Sequence, residues 1–398
     1  MDNQKTNIIM ILTIIISFTL ASMILDYIAY RRIKSDGVLK LFRFAFFFII
    51  AVSYLSLLAT PLLINKQGDS GYIMRMSMIL LTVYLALSIP RLFFYIFWLL
   101  VRSRIISIVS GGIAFVIFLI FIFSAFVTRT DYKLNRVSID CSRLPESFDG
   151  YKVAFISDIH TGSMLNPVDE IKKIIGIIND TDADIVFFGG DIININHSEV
   201  DESLLKEYSH LKARDGVFMV LGNHDTGAYM KGSDTRLRLD NTGALVDKME
   251  CAGWCVLRDS TVYIRRSIDS IAVTGIDFNE KLLKYKHSTD VVKGVDFSRI
   301  YGGVPDSVFN ITLSHLPQLW HSLCDGGYSD LTLSGHIHAM QMKIGALSPA
   351  RLMYKEWSGL YKDGDSWLYI NDGIGCVGFL ARIGACPEVT LIELHKKN

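Results

Sequence analysis

The chain has 398 residues, more than one ordinary domain, and its 40 lysines and arginines balance 40 aspartates and glutamates. With that balance and no block of basic residues in its polar half, a nucleic-acid surface is excluded from the leading readings. Six cysteines (Cys141, Cys251, Cys255, Cys324, Cys376, Cys386) form no Cys-x-x-Cys pair, which argues against a zinc ribbon or a disulfide framework and for small buried hydrophobes; Cys251 and Cys255 alone are spaced to share a face or a bridge.

Apolar runs fill about residues 8–25, 44–64, 76–101 and 105–127, each about 18 residues or longer and so long enough to cross a bilayer as a helix. The first run lacks a small-residue cleavage pattern and is expected to stay attached. Pro90 and Arg91 interrupt the third run. An arginine at mid-bilayer costs about 2.5–3.5 kcal/mol, so a kink at Pro90 is expected, with Arg91 snorkelling or facing another helix. Arg31, Arg32, Lys34, Lys40 and Arg43 follow the first run, and Arg102 and Arg104 lie between the third and fourth. The positive-inside bias assigns both loops to the cytoplasm and the polar half to the other side, against a smaller opposing pull from Arg129 and Lys133.

After a connector at 128–150, the pattern over residues 151–398 alternates between apolar strands and amphipathic helices. Strands are expected at 151–157, 185–188, 217–221, near Val256, Val262 and Ile271, and at 309–313, 331–333, 368–370 and 389–394. Helices are expected at 168–178, 200–211, through 245–249, and at 317–323. This is an α/β domain, long enough to bury a large core as one unit.

Five short segments carry the chemistry: Ser157-Asp158-Ile159-His160, Gly189-Gly190-Asp191, Gly222-Asn223-His224-Asp225, Ser314-His315 and Gly335-His336-Ile337-His338. Each directly follows an expected strand, and strand ends of an α/β sheet converge on one rim where ligand sites form. Any one segment alone is ordinary turn chemistry. Five in succession, all made of Asp, Asn and His, point to divalent cations such as manganese, iron or zinc, with no thiolate to enforce zinc. The glycines let the chain turn sharply beside such ions.

The order Asp-x-His, Gly-Gly-Asp, Gly-Asn-His-Asp, His, Gly-His-x-His resembles the calcineurin-like metallophosphoesterase family over about residues 151–394. The resemblance implies a four-layer sandwich of two mixed β-sheets flanked by helices. It implies Asp158, His160, Asp191 and His338 on one metal ion and Asp191, Asn223, His315 and His336 on the other, with Asp191 bridging. His224 then faces the substrate phosphate, positioned by Asp225. The stretches from Ser334 to Gln341 and from Arg382 to Thr390 resemble the family's bacterial membrane-associated or exported branch, which includes relatives of the UDP-diacylglucosamine pyrophosphatases. Ile337, where Thr is frequent in that branch, and Met340, where Gly is, depart from its commonest pattern and bear on substrate contacts, not on metal binding. Pro387 and Glu388 are expected either to end the sheet or to orient Arg382.

Two such cations clamp a phosphate and lower the pKa of a bridging water for in-line attack on a phosphomonoester, phosphodiester or pyrophosphate. His224 donates a proton to the leaving group or hydrogen-bonds the phosphoryl oxygens. A membrane tether favours a lipid or lipid-linked substrate, a UDP-diacylglucosamine-type pyrophosphate among them, at a bacterial inner membrane. Tyr354, Trp357, Tyr361 and Trp367 are available for an acyl chain or sugar, or for core packing. His197, His210, His287, His321 and His395 read as surface or loop residues. The competing class is a transporter or sensor whose polar domain binds metal or ligand without turnover, though the apolar runs hold few polar groups other than Arg91 and so offer little pathway for an ion.

The charge bias makes a first prediction. A reporter active only outside the cytoplasm, fused after Val127, is expected to be active; activity from a cytoplasm-only reporter there would invert the topology.

Overall fold

The computed structural model describes residues 2–35, 40–64, 70–101, 103–230, 232–285 and 290–397; Arg102 and His287, cited above, lie outside them. The chain divides into two compact units, one drawn from residues 1–68, 73–127 and 378–381, the other from 69–72, 128–377 and 382–398.

The first unit holds α1 (Asp2–Ser35), α2 (Lys40–Ile64), α3 (Ser70–Leu100) and α4 (Arg104–Phe126). Among the described residues, three stretches, Arg43–Thr60, Gly71–Leu100 and Arg104–Thr130, are long and apolar enough to span a membrane. α3 runs through Pro90 as one helix. Arg91 takes the second of its two expected options and faces another helix: its Nε lies 3.1 Å from an Asp26 carboxylate oxygen on α1, and both residues are buried. The hydroxyls of Tyr54 and Tyr95 donate to that same carboxylate at 2.8 and 2.9 Å. An arginine is tolerable among apolar helices because its partner is an anion whose remaining lone pairs are also satisfied.

The second unit is built on β1 (Lys133–Cys141), β2 (Tyr151–Ile156), β3 (Ile185–Phe188), β4 (Val217–Met219), β5 (Cys255–Val256), β6 (Ser260–Arg266), β7 (Asp269–Gly275), β8 (Phe309–Leu313), β9 (Leu331–Ser334), β10 (Gly359–Asp363), β11 (Ser366–Ile370) and β12 (Glu388–Lys396). One mixed sheet has the order β1-β12-β2-β3-β4-β5 and the other β10-β11-β9-β8-β7-β6. The strand period of two decides which side chain enters which layer. Val153, Phe155, Ile185 and Phe187 point into the core between the sheets, where they meet Ile311, Leu333 and Tyr369. Their alternates Ala154, Ile156, Val186 and Phe188 point the other way, under α5 (Pro167–Asn179), α6 (Glu202–Tyr208) and α7 (Thr235–Cys251). α5 starts with Pro at its first position and buries Ile171, Ile174, Ile175 and Ile178, one stripe of a 3.6-residue period. Trp320 packs with Leu368 and Ile370 of β11 in a separate cluster. Helices and sheets thus form the expected four-layer sandwich.

The residues read as a connector are not one. Within 128–150 lies β1, an edge strand paired in parallel with β12 from Lys133↔Glu388 to Cys141↔Lys396. Most of its side chains are exposed, so it gives little apolar signal. Just before it, Arg129 donates to Glu170 of α5 at 3.0 Å and Tyr132 donates to the same oxygen at 2.8 Å, while Glu170 also accepts from the Leu165 and Asn166 amides at 3.1 Å. All three side chains are buried. Removing the carboxylate takes away the anion of a buried ion pair and the acceptor of the Tyr132 hydroxyl and two amides, so Glu170→Ala is expected to cost about 3–5 kcal/mol of unfolding free energy. Denaturant titration of the purified chain measures it, and a loss below about 1 kcal/mol contradicts the account.

Candidate metal centre

Parallel strands β2, β3 and β4 of one sheet and β8 and β9 of the other each run directly into one of the five polar segments. The loops after β2 and β3 are stitched together: the Asp158 amide donates to Gly190 O at 2.9 Å and the His160 amide to Asp191 O at 3.0 Å. Behind them the Gly375 amide donates to Asp158 O at 2.8 Å. Asp158, His160, Asp191, His336 and His338 all have φ between 46° and 74°. Left-handed backbone of this kind costs non-glycine residues of order 1–3 kcal/mol each and persists where surrounding structure enforces it. Gly222 and Gly335 give the loops room, since a Cβ at Gly222 would overlap Asp191 Oδ1 and one at Gly335 would overlap Ser157 Oγ and Asp158 Oδ2.

These turns gather two donor groups. In one, ligand atoms of Asp158, His160, Asp191 and His338 lie within 4.8 Å of one another; in the other, those of Asp191, His315 and His336 do. Asp191 belongs to both. Its Oδ1 accepts the His224 amide at 2.8 Å, leaving Oδ2 3.7 Å from His160 Nε2 and 3.2 Å from His315 Nε2. Asn223 joins the second group with Oδ1 3.2 Å from His315 Nε2.

The donor chemistry fits divalent cations. His315 Nδ1 donates to Gly189 O at 2.7 Å, which directs the Nε2 lone pair of the neutral ring toward the Asp191 and Asn223 oxygens and toward His336 Nδ1 at 3.3 Å. That is a cluster of acceptors facing acceptors, which a cation at its centre satisfies. His160 Nε2 and His338 Nε2 likewise face each other at 3.2 Å, with an Asp158 oxygen 3.0 Å from the latter. Without cations, protons answer the same field. Burial lowers the His315 basicity, but the Asp191 carboxylate outweighs it and pushes the ring up to about 9. Burial pushes the Asp158 carboxyl up, yet the His338 ring outweighs it and holds the group below its ordinary range. Burial and the nearby His224 ring hold His160 well below the usual imidazole value.

His224 is buried beside both groups, its ring 4.7 Å edge-on from that of His160. Its Nδ1 donates to Asn194 O at 2.7 Å, which fixes the plane of the ring. The Asp225 carboxylate accepts backbone amides of Asp191, Ile192, Ile193 and Gly222 at 2.7–3.2 Å. A carboxylate in a ring of amides fixes loops. Burial and the Asp191 charge push Asp225 up to about 7, against the amides that favour its anion.

Sequence reading missed two contributors. Glu199 accepts the amides of Gly162, Asn194, Ile195 and Asn196 at 2.6–3.2 Å and so holds the carbonyl that orients His224. Tyr229 stacks on His224 with ring centroids 4.1 Å apart, and its hydroxyl accepts from Asn223 Nδ2 at 2.9 Å. That bond turns the amide so that its oxygen faces His315. Only the His/Asn/Asp motif was visible in sequence, because the partners arrive by loop contacts.

Arg382 is fully buried and donates to the carbonyls of Ala385, Gly375 and Asp372. Glu388 does not orient it; Glu388 takes bonds from Tyr369, Thr390 and Asn135. Trp357 and Tyr354 pack with Ile337 and Ala339, Trp367 packs against the inter-sheet core, and the Tyr361 hydroxyl accepts the Trp357 amide at 3.0 Å, all structural roles.

Residues 151–340 match the family model described as calcineurin-like phosphoesterase. The chain is similar to the uncharacterized metallophosphoesterase YkuE of Bacillus subtilis (strain 168), 27% identical over 269 residues that cover 66% of this chain and 85% of that protein. It is similar to an uncharacterized metallophosphoesterase of Helicobacter pylori (strain J99), 30% identical over 249 residues, 62% of this chain and 60% of the other. It is also similar to the transmembrane protein with metallophosphoesterase domain of Danio rerio, 29% identical over 275 residues, 66% and 57% respectively. The match therefore spans less than two thirds of the Helicobacter and Danio proteins.

Tyr229→Phe retains the ring and deletes the acceptor that orients Asn223. It is expected to weaken one of two Mn²⁺ sites about 10- to 100-fold, the usual cost of losing such a partner, and to spare the other. Calorimetric titration checks this, and unchanged affinity at both sites contradicts it.

Proposed function

Residues 151–340 constitute a calcineurin-like metallophosphoesterase domain, the class of hydrolase that acts on phosphoric esters, and from that premise we propose that this membrane protein cleaves a phosphoric ester with two divalent cations. Asp158, His160, Asp191 and His338 would hold one cation, and Asp191, Asn223, His315 and His336 the other. The observation that carries this reading is the Asp191 carboxylate, shared by both donor groups while its second oxygen is fixed by the His224 amide. When bound, the cations supply positive charge to the phosphoryl oxygens and acidify the attacking water.

The chain's own residues do the remaining work. The buried anions and imidazoles fix the charge of the site before substrate arrives, which removes reorganisation from the reaction. His224, anchored through Nδ1 and stacked on Tyr229, would face the phosphate or its leaving group. The apolar helices keep the domain at a bilayer, which favours a phospholipid, a lipid-linked sugar phosphate or a UDP-diacylglucosamine-type pyrophosphate. By the cationic bias of the loops, that surface is the extracytoplasmic face of a bacterial inner membrane.

Two outcomes test this. Asp191→Asn is expected to abolish turnover of an aryl phosphodiester and to loosen both cations, read by elemental analysis; at most one tightly held ion in active wild-type protein contradicts the dinuclear reading. His224→Ala is expected to keep both cations and lose roughly 100-fold or more in kcat, within the range of a positioned acid. A smaller loss on a low-pKa leaving group than on an alkyl ester identifies proton donation, equal losses identify charge stabilisation, and unchanged turnover on both removes His224 from the mechanism.

A further inference from the structure

Beside the metal centre lies a groove of about 470 Å³. It is continuous with the catalytic loops. Thr226, in its wall, follows Asp225 directly and donates to Asn223 O at 2.8 Å. Phe278, on another side, meets the His315 ring edge-on at 5.9 Å. Four cationic side chains line the groove, Arg238 from α7, Arg258 from the turn between β5 and β6, and Lys281 and Arg299 from the segment between β7 and β8. Three carboxylates oppose them, Asp259 and Asp296 in the lining and Asp277 against Arg258, an excess of one positive charge. Arg258 is braced by Asp277, at 3.2 Å from Nε and 3.1 Å from Nη2, and Arg299 by Asp259. Bracing fixes two guanidinium groups in place.

We propose that this groove binds a second phosphate carried by the substrate, on the part of the molecule that extends away from the ester being cleaved. The proposal rests on the hydrolase reading above and narrows its substrate class to phosphoric esters with a further phosphate, either adjacent as in a pyrophosphate or remote as in a phosphorylated alcohol. The volume suits a nucleotide-sized group, since small-molecule sites span about 300–1,000 Å³. The side chains suit phosphate: guanidinium forks match two phosphate oxygens at once, and a lysine adds a point charge. A cationic wall next to a metal pair also concentrates polyanionic substrates at the site.

The test uses the full chain in detergent with Mn²⁺ and two chromogenic substrates that differ by one phosphate: thymidine 5′-(4-nitrophenyl phosphate) and its 3′-phosphorylated counterpart. UDP-glucose supplies the adjacent arrangement. Wild-type protein is expected to prefer a doubly phosphorylated substrate by roughly 10-fold or more in kcat/KM, mostly through KM, as charge-assisted bonds to phosphate imply. In the Arg238→Gln, Lys281→Gln double variant that preference is expected to collapse to within about 2-fold. Preference for UDP-glucose supports an adjacent phosphate, and preference for the 3′-phosphate a remote one. Turnover of all three without preference overturns the groove assignment and leaves the hydrolase intact, as does a preference that survives in the double variant. Failure to turn over any of them, or bis(4-nitrophenyl) phosphate, overturns the hydrolase reading and this inference with it.

Discussion

The structure turns on the burial of two carboxylates, Asp158 and Asp191, which have 0% and 1% of their surface exposed. An anion without countercharge cannot be held in such a place at an acceptable free energy. Around the pair stand four imidazoles, an asparagine oxygen and a ring of amides. Such an arrangement requires countercharge, which a protonated His315 supplies in part and divalent cations would supply in full.

The shaping is costly and visible. Five of the gathered side chains sit on left-handed backbone. The strain is tolerated because each loop emerges from a strand buried in the inter-sheet core, with β2 and β3 locked into a second core on their other face, so the loop ends cannot relax independently. Asp225 completes the scaffold by binding amides of the 191–193 and 222 segments together. Stability of the sandwich and geometry of the site are thus linked through backbone, not through side-chain contacts alone.

Much of this was legible in sequence, for a physical reason. Donor residues must follow strands closely and need glycine beside them, so Gly190-Asp191, Gly222-Asn223 and Gly335-His336 announce themselves locally. An α/β domain followed from apolar runs such as Val153 to Ile156 and Ile185 to Phe188, and the two-sheet architecture from the family resemblance of the motifs. What stayed hidden depends on long-range contact or on polar surface. β1 is an exposed edge strand, Asp26 lies just past its apolar run yet meets Arg91, and Tyr229 and Glu199 act on Asn223 and His224 through loop geometry. The amide bonds of Asp225 were also hidden, because adjacency in a motif says nothing about which way a carboxylate turns.

In the proposed reading, the apolar helices would keep a phosphoester hydrolase at a bilayer, and the rim of the sandwich would hold its cations. The central claim is that Asp191 Oδ2 lies between two of them. Anomalous diffraction from crystals of active, manganese-loaded protein, recorded at the manganese edge, tests it most directly. Two peaks about 3.5–4 Å apart, one toward His160 and one toward His315, are predicted. One peak, or peaks away from Asp191, in fully active protein would contradict the account.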